Sequence, residues 1–402
     1  MKVIKIAIIL VFILSVAALT VFRSERTAAQ SGGSIETPTG VSASNGSYTT
    51  KIGINWDPMR GATVYRIFRS AADNQFAATE IGTTAAPYFF DRTAAQNTNF
   101  FYWVRAESPT AISQLSNSVQ GLRANGTPNG PIAPLEPPNA PTGNPVTAAK
   151  TALGKVLFWE EQLSSTKTVA CVTCHINGAS GSDPRSVVGD VSSTHPGADG
   201  IFGTGDDVIG SPGVPVSNSV GAYQWSTASG VRPQVTSRRS MPATNAGYAP
   251  LLFWDGRASQ TFRDPITNLI LLNGNAALES QAVGPPLSSV EMAHTGRDWN
   301  STASELAAVK PLALATNIPP ALTTWMGGRT YPEMFAEAFG TSEVSSARIA
   351  MAIATYERVL FSDRTPFDLF VGGANTLTAA EQRGRNIYNT TNCNLCHGGS
   401  LL

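Results

Sequence analysis

Charge is scarce in this 402-residue chain: 14% of its residues are Asp, Glu, Lys or Arg, and 28 basic side chains balance 28 acidic ones. With no net charge, bulk electrostatics can hold neither nucleic acid nor a membrane surface, so a charged partner must use local patches. Cysteine and histidine are scarcer still, four of each. So few cysteines in so long a chain exclude a disulfide-dense scaffold. Apolar residues, at 42%, are sufficient for ordinary cores, and the length suits about two or three domains. Gly and Pro are concentrated between residues 125 and 290, which points to long loops there.

The four cysteines fall into two identical patterns, Cys171-Val172-Thr173-Cys174-His175 and Cys393-Asn394-Leu395-Cys396-His397. A lone C-x-x-C reads as a zinc half-site or a redox dithiol. Here each pair is followed at once by His, and no cysteine remains for a disulfide or a Cys-rich zinc site. C-x-x-C-H is the spacing at which two thiols add across the vinyl groups of one haem while the next imidazole ligates its iron. The expectation is two covalently bound c-type haems, held by Cys171 and Cys174 with His175 and by Cys393 and Cys396 with His397.

Residues 1–30 read as an export signal or an N-terminal anchor. Lys2 and Lys5 flank an uncharged run from Ile6 to Phe22, and Thr27-Ala28-Ala29 offers small residues for cleavage. Either way the mature chain is expected outside the cytoplasm, periplasmic or otherwise extracytoplasmic. From 35 to 124 the pattern is β: Lys51 to Trp56 and Thr63 to Arg69 alternate apolar and polar, and Phe100 to Ala106 is a third, aromatic-rich run. This segment resembles a fibronectin type III domain, with Pro38 and Val41 opening strand A, Trp56 in strand B, Tyr65 in strand C and Tyr102 in strand F. It reads as a spacer or adhesion module, touching a surface or polysaccharide, with no chemistry of its own. Residues 125–147 form a Pro-rich linker that holds the chain partly extended, so the modules it joins are expected to stand apart.

Beyond the linker the pattern turns mainly helical. Ala148 to Gln162 carries Leu153, Val156, Leu157, Phe158 and Trp159 at helical spacing, and Ser345 to Phe361 carries Ile349, Ile353, Tyr356 and Leu360. Between them, Gly178 to Arg239 shows little periodicity. Thr378-Ala379-Ala380-Glu381 is a capping box for a last helix ahead of the second motif. The whole is expected to be multidomain: an all-β fibronectin type III-like sandwich, then two cytochrome c-like haem domains at 148–340 and 341–402.

The haem half resembles the bacterial di-haem cytochrome c peroxidase superfamily, which includes the MauG-like enzymes. Its blocks run in order: Leu153 to Trp159, Val169 to His175, Phe253-Trp254-Asp255-Gly256-Arg257, Gln281 to Pro286 with Glu291-Met292, Tyr356-Glu357-Arg358, Pro366-Phe367-Asp368, and Leu377 to Cys393. The resemblance implies that the His175 haem is the peroxide site, the His397 haem the electron entry, and Trp254 the bridge between them. It also makes Gln281 and Glu291 the distal-pocket pair. Peroxide at an open iron position needs a base for the near oxygen and an acid for the leaving one, and one carboxylate, Glu291, can do both. Gln281 would orient the oxygen through a neutral hydrogen bond.

His195, in Ser-Ser-Thr-His-Pro-Gly, matches a family histidine that ligates the first iron from the distal side until reduction releases it. A solvated loop imidazole is the alternative reading. The family also holds a calcium near an R-N-x-P block. Here that block is Arg239-Ser240-Met241-Pro242, which puts calcium in doubt, and the carboxylates Asp199, Asp206 and Asp207 read as turn residues. Because the family draws the second haem's sixth ligand from later sequence, and the chain stops at Leu402, the second haem domain is expected to be incomplete.

The activity implied is reduction of hydrogen peroxide to water, with a small cytochrome c or cupredoxin as electron donor. Two alternatives stay open: MauG-like long-range oxidation of an organic or protein substrate, and a non-catalytic di-haem electron carrier.

Overall fold

The structure, a computed structural model, describes residues 34–129, 132–179, 181–227 and 230–398. The export or anchor segment at 1–30 lies outside the described residues. Among those described, no helix is long and apolar enough to cross a membrane. A β-rich N-terminal region is followed by a mainly helical one.

The β region packs two antiparallel sheets face to face. One is a three-stranded sheet in which β1 (Ser42–Ala43), β2 (Ile52–Asn55) and β5 (Tyr88–Asp91) lie in the order β1-β2-β5. The other has the order β4-β3-β6-β7, from β3 (Val64–Ser70), β4 (Thr79–Thr84), β6 (Asn99–Glu107) and β7 (Val119–Leu122). The alternation seen in sequence turns Ile52, Ile54, Tyr65, Ile67, Tyr102 and Val104 into the shared core. Trp56 lies one residue past β2 and packs its ring at a tilt against Tyr65, with centroids 5.1 Å apart. The two sheets are also tied across the core, where the Tyr102 hydroxyl donates to Asp91 Oδ2 at 2.9 Å.

The helical region is built on the crossing of α1 (Ala148–Phe158) with a later helix, Ser346–Arg358. Between them in sequence come α2 (Cys171–Cys174), α3 (Ala277–Ala282), α4 (Trp299–Ala308), α5 (Pro320–Met326) and α6 (Tyr331–Phe339). Ser346–Arg358 is therefore α7, followed by α8 (Pro366–Val371) and α9 (Ala379–Thr390). Leu153, Val156 and Leu157 of α1 share one core with Ile349, Ala350, Ala352 and Ile353 of α7. Trp159, expected on the apolar face, instead stands half out of the core just past the helix end. A domain boundary at 340/341 separates α7 from the core in which it is packed; the chain leaves that core only after Leu360.

Gly154 makes the crossing possible, since a Cβ there would lie 1.9 Å from the Ala352 carbonyl oxygen. A helix-interior glycine costs about 1 kcal/mol against alanine in isolation. Here the close backbone approach makes alanine the worse residue. The irregular stretch expected at 178–239 is largely loop, with two short ribbons, β8 (Thr194–His195) with β9 (Val208–Ile209) and β10 (Pro212–Pro215) with β11 (Pro233–Val235). A third ribbon pairs β12 (Thr261–Arg263) with β13 (Ile270–Asn273). The capping box before α9 is present: Thr378 N–H donates to Glu381 Oε2 at 2.7 Å and Glu381 N–H to Thr378 Oγ1 at 3.3 Å.

The expectation of modules standing apart does not hold. Residues 132–147 are strapped into the space between sandwich and helices, with Leu135 buried and Asn144 fully enclosed. Lys51 Nζ of the sandwich reaches Asp363 beyond α7 at 3.2 Å, and Gly61 N–H donates to Glu337 on α6 at 2.7 Å. Prolines favour an extended path but do not choose its direction, and this one runs along the interface.

Replacing Gly154 with alanine should lower stability by about 1–3 kcal/mol through overpacking. A drop in the thermal midpoint by circular dichroism, with the helical spectrum retained below it, is the expected result.

Candidate functional site

One turn of helix, α2, carries the first cysteine pair. His175 N–H donates to the Cys171 carbonyl at 3.0 Å, which closes the turn and puts residues three apart on the same face. The second motif closes in the same way, with His397 N–H to the Cys393 carbonyl at 3.0 Å. All four thiols are free of disulfides. Burial pushes the Cys174 thiol up to about 11 against the opposing pull of Arg185, and burial raises Cys171 further. A redox dithiol needs a depressed thiol pKa, so that reading of the first pair loses support.

The His175 ring is oriented by the backbone. Its Nδ1 stands 3.1 Å from the Gly181 carbonyl oxygen, which can only accept, so Nδ1 carries the proton and Nε2 keeps its lone pair. That is the tautomer an iron ligand needs, fixed by the hydrogen bond at the opposite nitrogen. Phe158 at the end of α1 lies 6.5 Å from the ring and 5.3 Å from Tyr356 of α7. The helix crossing therefore forms the wall against which the motif rests. Two free thiols on one helical face and a correctly oriented imidazole fit a covalently held haem.

The second motif has a different setting. Cys393, Cys396 and His397 are all exposed, α9 buries none of its residues, and the Tyr388 hydroxyl donates to the His397 carbonyl oxygen. Thiols and imidazole are present there too, on a turn that no other described element encloses.

Glu291 and the Phe253–Arg257 block, 34 or more positions apart in the chain, come together. They line a cavity of about 350 Å³ with Ala258, Ser280, Val283, Gly284, Pro285 and Ser288. Burial raises the Glu291 carboxyl above its usual range, and the Arg257 guanidinium opposes the shift. Cys174 Sγ lies 3.9 Å from the Pro212 carbonyl oxygen, and a Cβ on the next residue, Gly213, would meet the Glu291 carbonyl oxygen at 2.7 Å, so β10 packs against both Glu291 and the first motif. The fit is tight: a Cβ on Gly213 of β10 would meet the Val290 carbonyl oxygen at 2.0 Å.

Gln281 stands on the last turn of α3, between cavity residues Ser280 and Val283, but does not itself line the cavity. Phe253 takes φ +65°, a left-handed value costly for a bulky side chain. Phe253 lines the cavity with Arg257 stacked 3.6 Å over its ring, whereas Trp254 is 83% exposed. Trp254 is therefore not a core aromatic. Its neighbour is Arg238, 6.0 Å over the indole.

His195 lies in β8, and its Nδ1 accepts from Gly197 N–H at 3.1 Å. A neutral ring so arranged carries its proton on Nε2 and offers no lone pair to a metal. The Asp206 and Asp207 carboxylates accept backbone N–H groups of their own loop, Ala198 at 2.7 Å and Gly203 at 2.7 Å. Ser240 donates its hydroxyl to the Cys174 carbonyl at 2.7 Å, so the Arg239–Pro242 block buttresses the motif.

Three features were not foreseen from sequence, two of them supports. Arg185 grips buried Asp183 through two nitrogens, at 2.9 and 2.8 Å, and reaches Cys174 Sγ at 3.3 Å. Arg358 and Glu279, both fully buried, form a bidentate pair at 2.7 and 2.6 Å that ties α7 to α3, two residues before Gln281. Beside that pair, the Glu357 carboxyl is buried with Oε2 lacking a hydrogen-bond partner. Only the Tyr356-Glu357-Arg358 block carried a sequence signal for any of these.

Residues 148–376, more than half of the chain, match the family described as di-haem cytochrome c peroxidase. The cytochrome c peroxidase Ccp of Escherichia coli (strain K12) is 28% identical over 275 residues, 68% of this chain and 41% of that protein. The methylamine utilization protein MauG of Methylophilus methylotrophus is 27% identical over 262 residues, 64% of this chain and 55% of that one. The chain thus spans about half the length of these relatives. Among solved structures, a MauG-like protein associated with microbial copper homeostasis aligns over 68% of this chain and 58% of its own, at 21% identity and a TM-score of 0.41.

Burial raises Glu357 from 4.5 to about 8, with Arg358 opposing and Glu279 adding to the shift. The unfolded chain releases this proton above 4.5 while the folded chain keeps it. Stability should therefore fall as pH rises through this window and level off above about 8. In E357Q, thermal melts taken across about pH 5 to 8 should show a flatter decline than the parent.

Proposed function

The chain belongs to the di-haem cytochrome c peroxidase family, and from that premise we propose that it reduces hydrogen peroxide to water outside the cytoplasm. The observation that carries this reading is the cavity lined by Glu291, Phe253 and Arg257, with Glu291 packed on the strand β10 that also touches the first C-x-x-C-H turn. Haems held at the two motifs would supply the iron chemistry and the two electrons that peroxide reduction consumes. Cys171 and Cys174 would hold the first, with His175 Nε2 supplying the lone pair an iron ligand needs. Cys393, Cys396 and His397 would hold the second, where electrons enter from a small cytochrome c or cupredoxin.

Glu291 acts on the proton. Its carboxylate would take a proton from one peroxide oxygen and return it to the other, which leaves as water; two further protons and two electrons convert the remaining oxygen into the second water. A carboxyl raised by burial sits nearer the working pH than an ordinary one, so taking and giving the proton are better balanced. Gln281, one residue from the cavity wall, turns in to orient the bound oxygen. Trp254, projecting from the same loop, lies on the electron route between the two centres. His195 becomes an iron ligand only after its loop gives up the Gly197 contact. Calcium is left without a role in this reading.

The MauG-like alternative is favoured by one observation. Trp254 is exposed, and so are Leu269 and Ile270 at the turn into β13, apolar side chains available to a substrate protein. A non-catalytic carrier has no use for a buried carboxyl facing a cavity.

Stopped-flow mixing of the reduced, haem-loaded protein with peroxide tests the reading, and fast oxidation of both haems is expected. E291Q should slow that oxidation about 10²- to 10⁴-fold with haem content unchanged. Reaction no faster than that of free haem would overturn the peroxidase reading. Oxidation that is fast and indifferent to E291Q would remove Glu291 from the mechanism.

A further inference from the structure

The β-sandwich grips one particular stretch of the haem half. Lys51, 1% exposed, enters β2 with its Nζ 3.2 Å from Asp363 Oδ2 and 3.5 Å from Glu136, and donates to the Leu135 carbonyl at 3.1 Å. Its ammonium also lies over the rings of Phe90 at 4.3 Å and Tyr48 at 5.0 Å. The Tyr48 hydroxyl donates to the other Asp363 oxygen at 2.8 Å. Asp363, itself buried, is thus held by two groups from the same edge of the sandwich.

The grip continues along the chain. Thr49 Oγ1 donates to the Gly372 carbonyl, and Asn129 binds both the Val371 carbonyl through its backbone N–H and the Phe370 carbonyl through its side chain, each at 2.8 Å. Gly373 passes so close that a Cβ would lie 2.0 Å from the Thr127 carbonyl oxygen. On the opposite side, Asn245 accepts from Ser362 N–H at 2.8 Å and donates its own N–H to Leu360.

The segment so held, 360–373, joins α7 in the first module's core to α9 and the second motif. A buried ion pair contributes little net stability compared with apolar packing, but losing one partner leaves the other charge stranded. Such a contact specifies where a segment sits more than how tightly it binds.

We propose that the sandwich is a clamp on the inter-motif segment, with Lys51 as its positioning residue, and that this clamp sets where the second motif stands relative to the first. The consequence for electron passage rests on the two-haem reading; the clamp itself does not. Arg364, exposed within the segment, reports on the clamp, because trypsin can cut after it only when the neighbouring backbone opens.

In the haem-loaded full chain, K51M and D363N should each speed cleavage after Arg364 about ten-fold or more, leaving sandwich amides such as Ile54 and Tyr102 as protected from hydrogen exchange as before. Cleavage unchanged in both variants overturns the clamp. Should K51M fail to fold, D363N, which keeps the shape of the site, decides alone by the same measure. The positioning role has its own readout. After rapid reduction at the second haem, transfer to the first should slow in K51M while both haems keep their absorption spectra. Faster cleavage with an unchanged transfer rate overturns the positioning part. A chain that takes up no haem fails the two-haem reading, and cleavage still decides the clamp.

Discussion

The close crossing of α1 and α7 is the contact on which the site depends. Gly154 lets one helix backbone lie against the carbonyl of Ala352 in the other, and each helix then delivers its end to the same place. From α1 comes Phe158, against His175; from α7 come Tyr356, against Phe158, and Arg358, which anchors α3 through Glu279. A wider crossing would separate the wall behind the imidazole from the helix that carries Gln281. Native interiors do not deform gradually, so a change of one carbon at the crossing is transmitted to the site.

Around that frame the polar groups divide into supports and reactants. Arg185 with Asp183, Arg358 with Glu279, and Ser240 on Cys174 are fixed contacts with little freedom to act. Glu291 borders open space, and its burial raises the proton affinity that peroxide chemistry would use. Strained Phe253 separates the two kinds: its left-handed backbone turns its ring into the cavity and leaves Trp254 facing outward. Strain of this sort persists only where surrounding contacts hold it, here the Arg257 guanidinium over the ring.

The β-sandwich changes meaning once its contacts are seen. Alternating residues identified its strands, but alternation reports only which side chains face inward. Lys51 illustrates the limit, because in sequence it is simply the polar residue that opens a strand. Its burial among two aromatic rings, two carboxylates and a carbonyl arises from chain segments at 48, 90, 136 and 363 meeting in space.

Local chemistry decided what could be read in advance. C-x-x-C-H is a covalent spacing that a single helical turn satisfies, and both motifs form that turn. Strand alternation, the helical stripes of α1 and α7, and the capping box of α9 are likewise short-range patterns, complete within a dozen residues. Glu291 was singled out only by likeness to a family, since nothing local distinguishes it from a carboxylate at a turn. The long-range meetings had no such signature: Arg358 with Glu279, Arg185 with Cys174, and Lys51 with Asp363. Each depends on how separate segments pack, and a buried charge finds its partner only when the fold has excluded water from both.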